Sequence, residues 1–291
     1  MLYGAFIGDI VGVPYEFQPC DTRDFKLFSP YSRYSDDTVM TVAVADAMVH
    51  SIGFTEEQTK AVLIEKLQEW GKKYPGAGYG SAFGSWLYFK DPKPYNSWGN
   101  GSAMRVSSVA WLYNTLEEVE EKAKWTAEIT HNHPEGIKGA QATASAIFLA
   151  RSGKSKKEIK AYIEEKYGYD LNRTIKGIKK SGYLFEVSCQ KSVPEAIIAF
   201  LESDSFEDAI RNAVWLNGDA DTQACIAGAI AEAFYGIPDN FMVECRSRLP
   251  QEFIDVHNIC ERYEQNPDSF EVPKPPRVSR IKLPNIFKKK K

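Results

Sequence analysis

The 291-residue sequence is short of several things, and each shortage closes a class of function. No stretch approaches the roughly 18 consecutive apolar residues of a membrane-spanning helix, so no membrane role is expected. The formal net charge is −3, without the basic surplus that draws a protein to nucleic acid or anionic lipid. Five cysteines (Cys20, Cys189, Cys225, Cys245 and Cys260) are odd in number and include no CxxC pair. They read as neither a disulfide framework nor a zinc site, which favours a reducing compartment. Cys225, within a small-residue stretch, is expected to be an inert buried thiol. No basic segment and apolar leader precede Gly4-Ala5-Phe6-Ile7, so no signal peptide is expected and the location is read as cytoplasmic. Alternating, strand-like runs are scarce. There is no P-loop, no phosphatase-type nucleophile motif, and no Ser/His/Asp or Cys/His set that would support an acyl-enzyme route.

What remains is an ordinary apolar fraction of 43% with 26% charged residues, arranged in helical patterns. Thr55-Glu56-Glu57-Gln58 and Ser155-Lys156-Lys157-Glu158 have capping-box form and open amphipathic runs to about Tyr74 and Tyr167. Ser205-Phe206-Glu207-Asp208 is a weaker version of the same signal. Pro134 and Pro250 stand where first helical positions are predicted. The expectation is an all-α fold of roughly ten to thirteen helices in one domain over residues 1–265. Tyr74 to Asn100 is broken repeatedly by glycine and proline, as functional loops often are. Residues 266–291 form a Pro/Lys-rich tail, expected to be disordered or draped over the surface, with a solvated basic end.

Against this background two acidic clusters stand out. Ser35-Asp36-Asp37-Thr38 and Asp219-Ala220-Asp221-Thr222 each precede a run of small and apolar residues that reads as a buried helix. Either alone is an ordinary helix start, with an N-cap and acids favoured by the helix dipole. Both end in Asp-Thr, however, and carboxylates crowded together repel one another unless a cation intervenes. If the two starts meet, they form an oxygen cage for a hard divalent cation such as Mg²⁺. Glu16 adds a third acidic element on what reads as a glycine-rich turn, Gly8 to Glu16. Gly99-Asn100-Gly101-Ser102-Ala103-Met104-Arg105 is a second such turn, leading into an apparent helix through Val106, Val109, Trp111 and Leu112; its backbone N–H groups could hold a phosphate or pyrophosphate. In Thr130-His131-Asn132-His133-Pro134, either histidine could contact a ligand or simply cap and pack a turn.

Taken in order, Gly8 to Glu16, Ser35 to Thr38, Gly99 to Arg105, Thr130 to Pro134 and Gly218 to Thr222 resemble the motifs of the ADP-ribosylglycohydrolase family. That family includes the dinitrogenase-reductase-activating glycohydrolases and the ADP-ribosylhydrolases. The resemblance implies a compact all-α bundle with a binuclear magnesium centre in a central cleft, Mn²⁺ being a possible substitute. It implies hydrolysis of the bond between the ribose anomeric carbon of ADP-ribose and an acceptor, protein arginine by default, releasing ADP-ribose. Carried over residue by residue, Ser35, Asp36, Asp37, Asp219, Asp221 and Thr222 would be metal ligands. Gly78, Gly80, Gly99, Asn100, Gly101, Ser102 and His131 would bind substrate. Glu16, Asp36 and Asp37 are the catalytic candidates for activating water or assisting the leaving group, with no choice among them. Ala220, where threonine is usual, and Val106-Ser107-Ser108, which lacks the common proline, depart from the pattern without removing a ligand. The other readings are a non-catalytic ADP-ribose or nucleotide-binding module, a metal-dependent phosphatase, and a hydrolase for ADP-ribosylated nucleic acid or a small metabolite. A monomer is the expected state.

Overall fold

A computed structural model describes residues 1–271 and 274–276. Among these are fifteen α-helices and two 3₁₀ turns. In chain order the helices are α1 (Tyr3–Gly12), α2 (Asp36–Val49), α3 (Glu56–Lys73), α4 (Ser81–Trp86), α5 (Gly101–Met104), α6 (Val109–Leu112), α7 (Leu116–Glu128) and α8 (Pro134–Arg151). They continue as α9 (Lys156–Tyr167), α10 (Ile175–Lys180), α11 (Cys189–Leu201), α12 (Phe206–Trp215), α13 (Ala220–Tyr235), α14 (Asp239–Arg246) and α15 (Gln251–Gln265). The all-α expectation is borne out; pairing between strands is limited, among the described residues, to an isolated bridge between Gly99 and Ser188. The helix number exceeds the expected ten to thirteen because α4, α5, α6 and α10 are only four to six residues long. Such helices carry too few turns to show a period.

Local chemistry sets the longer boundaries. Thr55 and Ser155 form complete capping boxes at α3 and α9, and Ser205 caps α12 through the Asp208 N–H. Pro134 occupies the first turn of α8, whereas Pro250 sits one residue earlier than expected, as the N-cap of α15.

Three helices form the centre and are buried almost all round, as their apolar composition demands. All ten residues of α1 are buried, as are Asp37–Val49 of α2 and Ala220–Ala231 of α13. The stretch read as a glycine-rich turn is in fact α1 followed by a 3₁₀ turn at Val13–Tyr15. Its glycines serve packing instead. Gly4, Gly8 and Gly12 lie at a spacing of four, along one helix face. A Cβ at these positions would come within 2.3 Å of the Gly228 carbonyl oxygen, 2.0 Å of the Ala224 carbonyl oxygen and 2.3 Å of Asp221 Cα. The two helices therefore run antiparallel, backbone against backbone, and the C-terminal end of α1 meets the N-terminal start of α13. Glu232 closes the other end, accepting from the Met1 amino group at 2.6 Å and the Gly4 N–H at 2.9 Å.

All five cysteines are buried free thiols. No helix among the described residues is long and apolar enough to cross a membrane. Of the tail, Pro267–Ser269 forms the second 3₁₀ turn and Phe270 packs edge-on against Tyr263; the basic end at Lys288–Lys291 lies outside the described residues.

Candidate active site

The start of α2 is built around a buried carboxylate. Ser35 caps the helix, accepting from the Asp37 N–H at 3.2 Å. Its own N–H and hydroxyl donate to Asp9 at 2.9 and 2.7 Å. The Thr38 N–H donates to Asp9 at 3.0 Å, and its hydroxyl donates to the same oxygen. Asp9, fully buried on α1, thus binds the first turn of α2 through four hydrogen bonds. Sequence reasoning passed over this residue. The available signal was a lone acid in an apolar helix, since a buried polar residue is the informative kind.

At the start of α13, Asp219 accepts from Asn100 Nδ2 at 2.7 Å, and Asp221 accepts from the Thr222 N–H at 2.9 Å. Thr222 Oγ1 then donates to Asp37 Oδ2 at 3.2 Å, joining the two acidic clusters across 185 residues of chain. Oxygens of Asp9, Asp37 and Asp221 lie within 4.8 Å of one another, and so do those of Glu16, Asp219 and Asp221. Asp221 belongs to both groups. The remaining oxygen of Asp37, Oδ1, is buried with no hydrogen-bond donor.

Burial pushes every one of these acids toward its neutral form, and mutual repulsion adds to it in all but Asp9. Burial, then Asp221 and Asp9, raise Glu16 to about 7. The same causes raise Asp36 to about 8. Burial raises Asp219 to about 6 against the bond from Asn100. Burial and neighbouring carboxylates hold Asp37 and Asp221 well above the ordinary range, and burial raises Asp9. Hard oxygen donors, an orphaned buried acceptor and two overlapping triads of carboxylates fit divalent cations of the Mg²⁺ or Mn²⁺ type.

The acids line a cleft of about 760 Å³, within the range of small-molecule sites. Glu16, Asp36, Asp37, Gly78, Gly80, Gly99, Asn100, Gly101, His131, Asp219, Asp221 and Thr222 all line it. Gly78 adopts a φ of 109°, which only glycine takes readily, and a Cβ added there would lie 3.4 Å from Asp36 Oδ1. Two predicted residues point elsewhere. Ser35 lies behind the acids as the cap just described, and the buried Ser102 hydroxyl donates to the Gly136 carbonyl at 2.7 Å. The single helix expected after Gly101 is two short ones, α5 and α6, separated at Arg105–Ser108. His133 is the N-cap of α8, its Nδ1 accepting from the Glu135 N–H at 3.1 Å.

The cleft is also lined by Arg105, which closes the glycine-loop motif, and by side chains outside the motifs: Phe83, Tyr95, Trp98, Phe185 and Val187. Phe17 and Phe185, both exposed and both lining the cleft, meet at a tilt of 39° with ring centroids 5.4 Å apart. The segment carrying Phe185 is tied to the Gly99 loop, with the Asn100 N–H donating to the Val187 carbonyl at 2.8 Å and the Cys189 N–H to the Trp98 carbonyl at 2.9 Å.

A family model of ADP-ribosylglycohydrolases matches residues 1–268. The chain belongs to the ADP-ribosylglycohydrolase family. It is 27% identical over 344 residues to ADP-ribosylhydrolase ARH3 of Homo sapiens, covering 90% of this chain and 93% of that protein. It is also 27% identical over 282 residues to the ADP-ribosylarginine hydrolase Tri1 of Pseudomonas putida, covering 87% of this chain and 72% of that one. A solved structure described as an ADP-ribosylglycohydrolase-related protein complex superposes with a TM-score of 0.69 at 23% identity, over 90% of this chain and 96% of that one. The expected family is borne out, and this ADP-ribosylglycohydrolase is a member of an enzyme family of hydrolases.

Proposed function

We propose that this chain removes ADP-ribose from a modified protein by hydrolysing the glycosidic bond at the ribose anomeric carbon. One observation carries the reading: a single cleft is lined by the carboxylate cage and by the Gly99–Gly101 loop and His131, with Asn100 hydrogen-bonded to Asp219 where they meet. The named activities of the ARH3 and Tri1 relatives support the substrate class. Asp36, Asp37, Asp219, Asp221 and Thr222 would hold two divalent cations, Mg²⁺ in the first instance, with Ser35 and Asp9 fixing the helix start behind them. Bound cations would supply charge stabilisation for an oxygen-rich sugar and acidify bound water.

The chain's own residues do the rest. The Gly99–Gly101 backbone and Gly78 and Gly80 leave room for a diphosphate to approach closely. Glu16, half-buried and directly after the 3₁₀ turn, is the group we assign to move the proton between water and leaving group. Its carboxyl, raised to about 7, can hold or release a proton near neutrality. The carboxylates around the sugar offset the positive charge of an oxocarbenium-like transition state. Arginine is the acceptor to test first, on the activity named for the Tri1 relative.

The test presents the purified protein with ADP-ribosyl-arginine, ADP-ribosyl-serine and ADP-ribosylated nucleic-acid ends, with Mg²⁺, with Mn²⁺ and with EDTA. Free ADP-ribose should appear from a protein-type substrate with either metal and disappear with EDTA or in Asp37→Ala. Release that persists at the full rate in EDTA overturns the metal-dependent reading. No release from any substrate, with ADP-ribose still bound by calorimetry, leaves a binding module in its place.

A further inference from the structure

Arg105 is 1% exposed and makes no ion pair among the described residues. Its guanidinium lies over the Phe83 ring at 5.6 Å and donates from Nη2 to the Thr126 carbonyl at 3.2 Å and to Thr130 Oγ1 at 2.7 Å. A charged group placed this deep without a carboxylate is costly, and burial lowers its pKa only to about 10, so it stays charged. Thr130 Oγ1 is in turn 2.7 Å from His131 Nδ1.

One arrangement leaves no donor in this chain of contacts without an acceptor. A guanidinium only donates, so the Thr130 oxygen accepts from Arg105, and among the described residues the hydroxyl's own hydrogen has no acceptor other than His131 Nδ1. Nδ1 is then the bare nitrogen. Burial and the neighbouring Arg105 charge hold the imidazole well below its ordinary pKa, so it carries a single proton. That proton sits on Nε2. The Nε2 edge faces the glycine loop: a Cβ added at Gly101 would be 3.1 Å from it, and one at Gly99 would be 3.6 Å away. No protein group among the described residues accepts from Nε2 there, and His131 lines the cleft.

We infer that Arg105 and Thr130 are positioning residues that fix His131 as its Nε2–H tautomer, presenting one N–H donor to a ligand oxygen beside Gly99 and Gly101. The use of that donor rests on the proposed ADP-ribose site; the tautomer itself does not. With the other tautomer, the Thr130 oxygen would accept from both neighbours and leave its own hydrogen without an acceptor among the described residues, and the Nε2 lone pair would face the ligand's oxygens. Thr130, held by Arg105, thus sets from behind which sign of dipole the cleft shows to substrate.

Two-bond proton–nitrogen correlation spectra of the full-length, ¹⁵N-histidine-labelled protein, assigned with His131→Gln, read the tautomer directly without ligand. His131 should show a protonated Nε2 and a bare Nδ1 throughout about pH 6 to 8. Thr130→Val should give a tautomer mixture and weaken ADP-ribose binding about tenfold, the scale of one hydrogen bond, and Thr130→Ser should restore both. An Nδ1–H form or an imidazolium in the wild type at pH 7 overturns the inference, as does a Thr130→Val spectrum identical to wild type. ADP-ribose that fails to bind the wild type, with the expected tautomer seen, refutes the functional reading and leaves the tautomer lock standing.

Discussion

Replacing Gly8 by alanine adds one methyl group to the molecule and should nonetheless destabilise it severely. The new Cβ would lie 2.0 Å from the Ala224 carbonyl oxygen, 2.3 Å from its carbonyl carbon and 2.5 Å from the Cys225 nitrogen. All three are backbone atoms inside a buried helix, so no rotamer change relieves the overlap. Ordinary contact begins near 3.4 Å, and α1 and α13 must therefore part by more than an ångström. Overpacking of a well-filled core costs about 1–3 kcal/mol, and this case belongs at or above the upper end because no side chain can yield. The better helix propensity of alanine returns about 1 kcal/mol, for a net loss of roughly 2 kcal/mol or more. Urea unfolding followed by circular dichroism measures it, with Gly76→Ala as the control because nothing lies within 4 Å of a Cβ there. A Gly8→Ala protein within about 0.5 kcal/mol of wild type, the range of an innocuous surface change, would refute the backbone-to-backbone contact between these helices.

Two further outcomes follow from the acids and the glycine loop. Because Glu16 and Asp36 are held up to about 7 and 8, the cation-free folded protein binds more protons than the unfolded chain as pH rises through that range. Its stability is fullest below the ordinary carboxylate range and is lost as pH passes the raised values. Between about pH 6.5 and 8.5, above the titration of the buried histidines, the Tm in EDTA should fall, and added Mg²⁺ should raise it most at the upper end; a metal-free Tm that climbs across this interval contradicts the account. Gly101→Val would set a branched side chain against His131 Nε2, where even a Cβ comes within 3.1 Å. It should weaken ADP-ribose binding about tenfold or more, and unchanged affinity by calorimetry would remove the loop from the site.

Much of this fold can be read from single residues, because local hydrogen bonds decide where helices start. Thr55, Ser155 and Ser205 place three boundaries by capping the N–H groups of their own first turns. The pairing of the acidic clusters was legible for a different reason: crowded carboxylates at two buried helix starts need a shared partner. What escaped notice depends on contacts between distant segments. Asp9 looked like part of a turn because the four-residue glycine spacing of α1 acquires its meaning only against α13. Ser102 seemed aimed at substrate, yet the direction of its hydroxyl is set by the Gly136 carbonyl of α8. Arg105 closed the quoted glycine-loop motif without a role, since that role depends on Thr130 and Phe83.

The hydrogen bond from Thr222 to Asp37 has a bearing on how the molecule is made. It joins positions 185 apart in sequence, and the Gly4 contact with Glu232 spans 228. Contacts of such separation form late and slowly, after the entropy of closing long loops has been overcome. A nascent chain emerging as far as α12 therefore has half the cage and no cleft. Any ligand that occupies the finished cleft binds the native state and no earlier one, so its whole stabilisation, RT ln(1 + [L]/Kd), goes to the completed fold. Occupancy of the cleft is thereby a signal that both ends of the chain have come together.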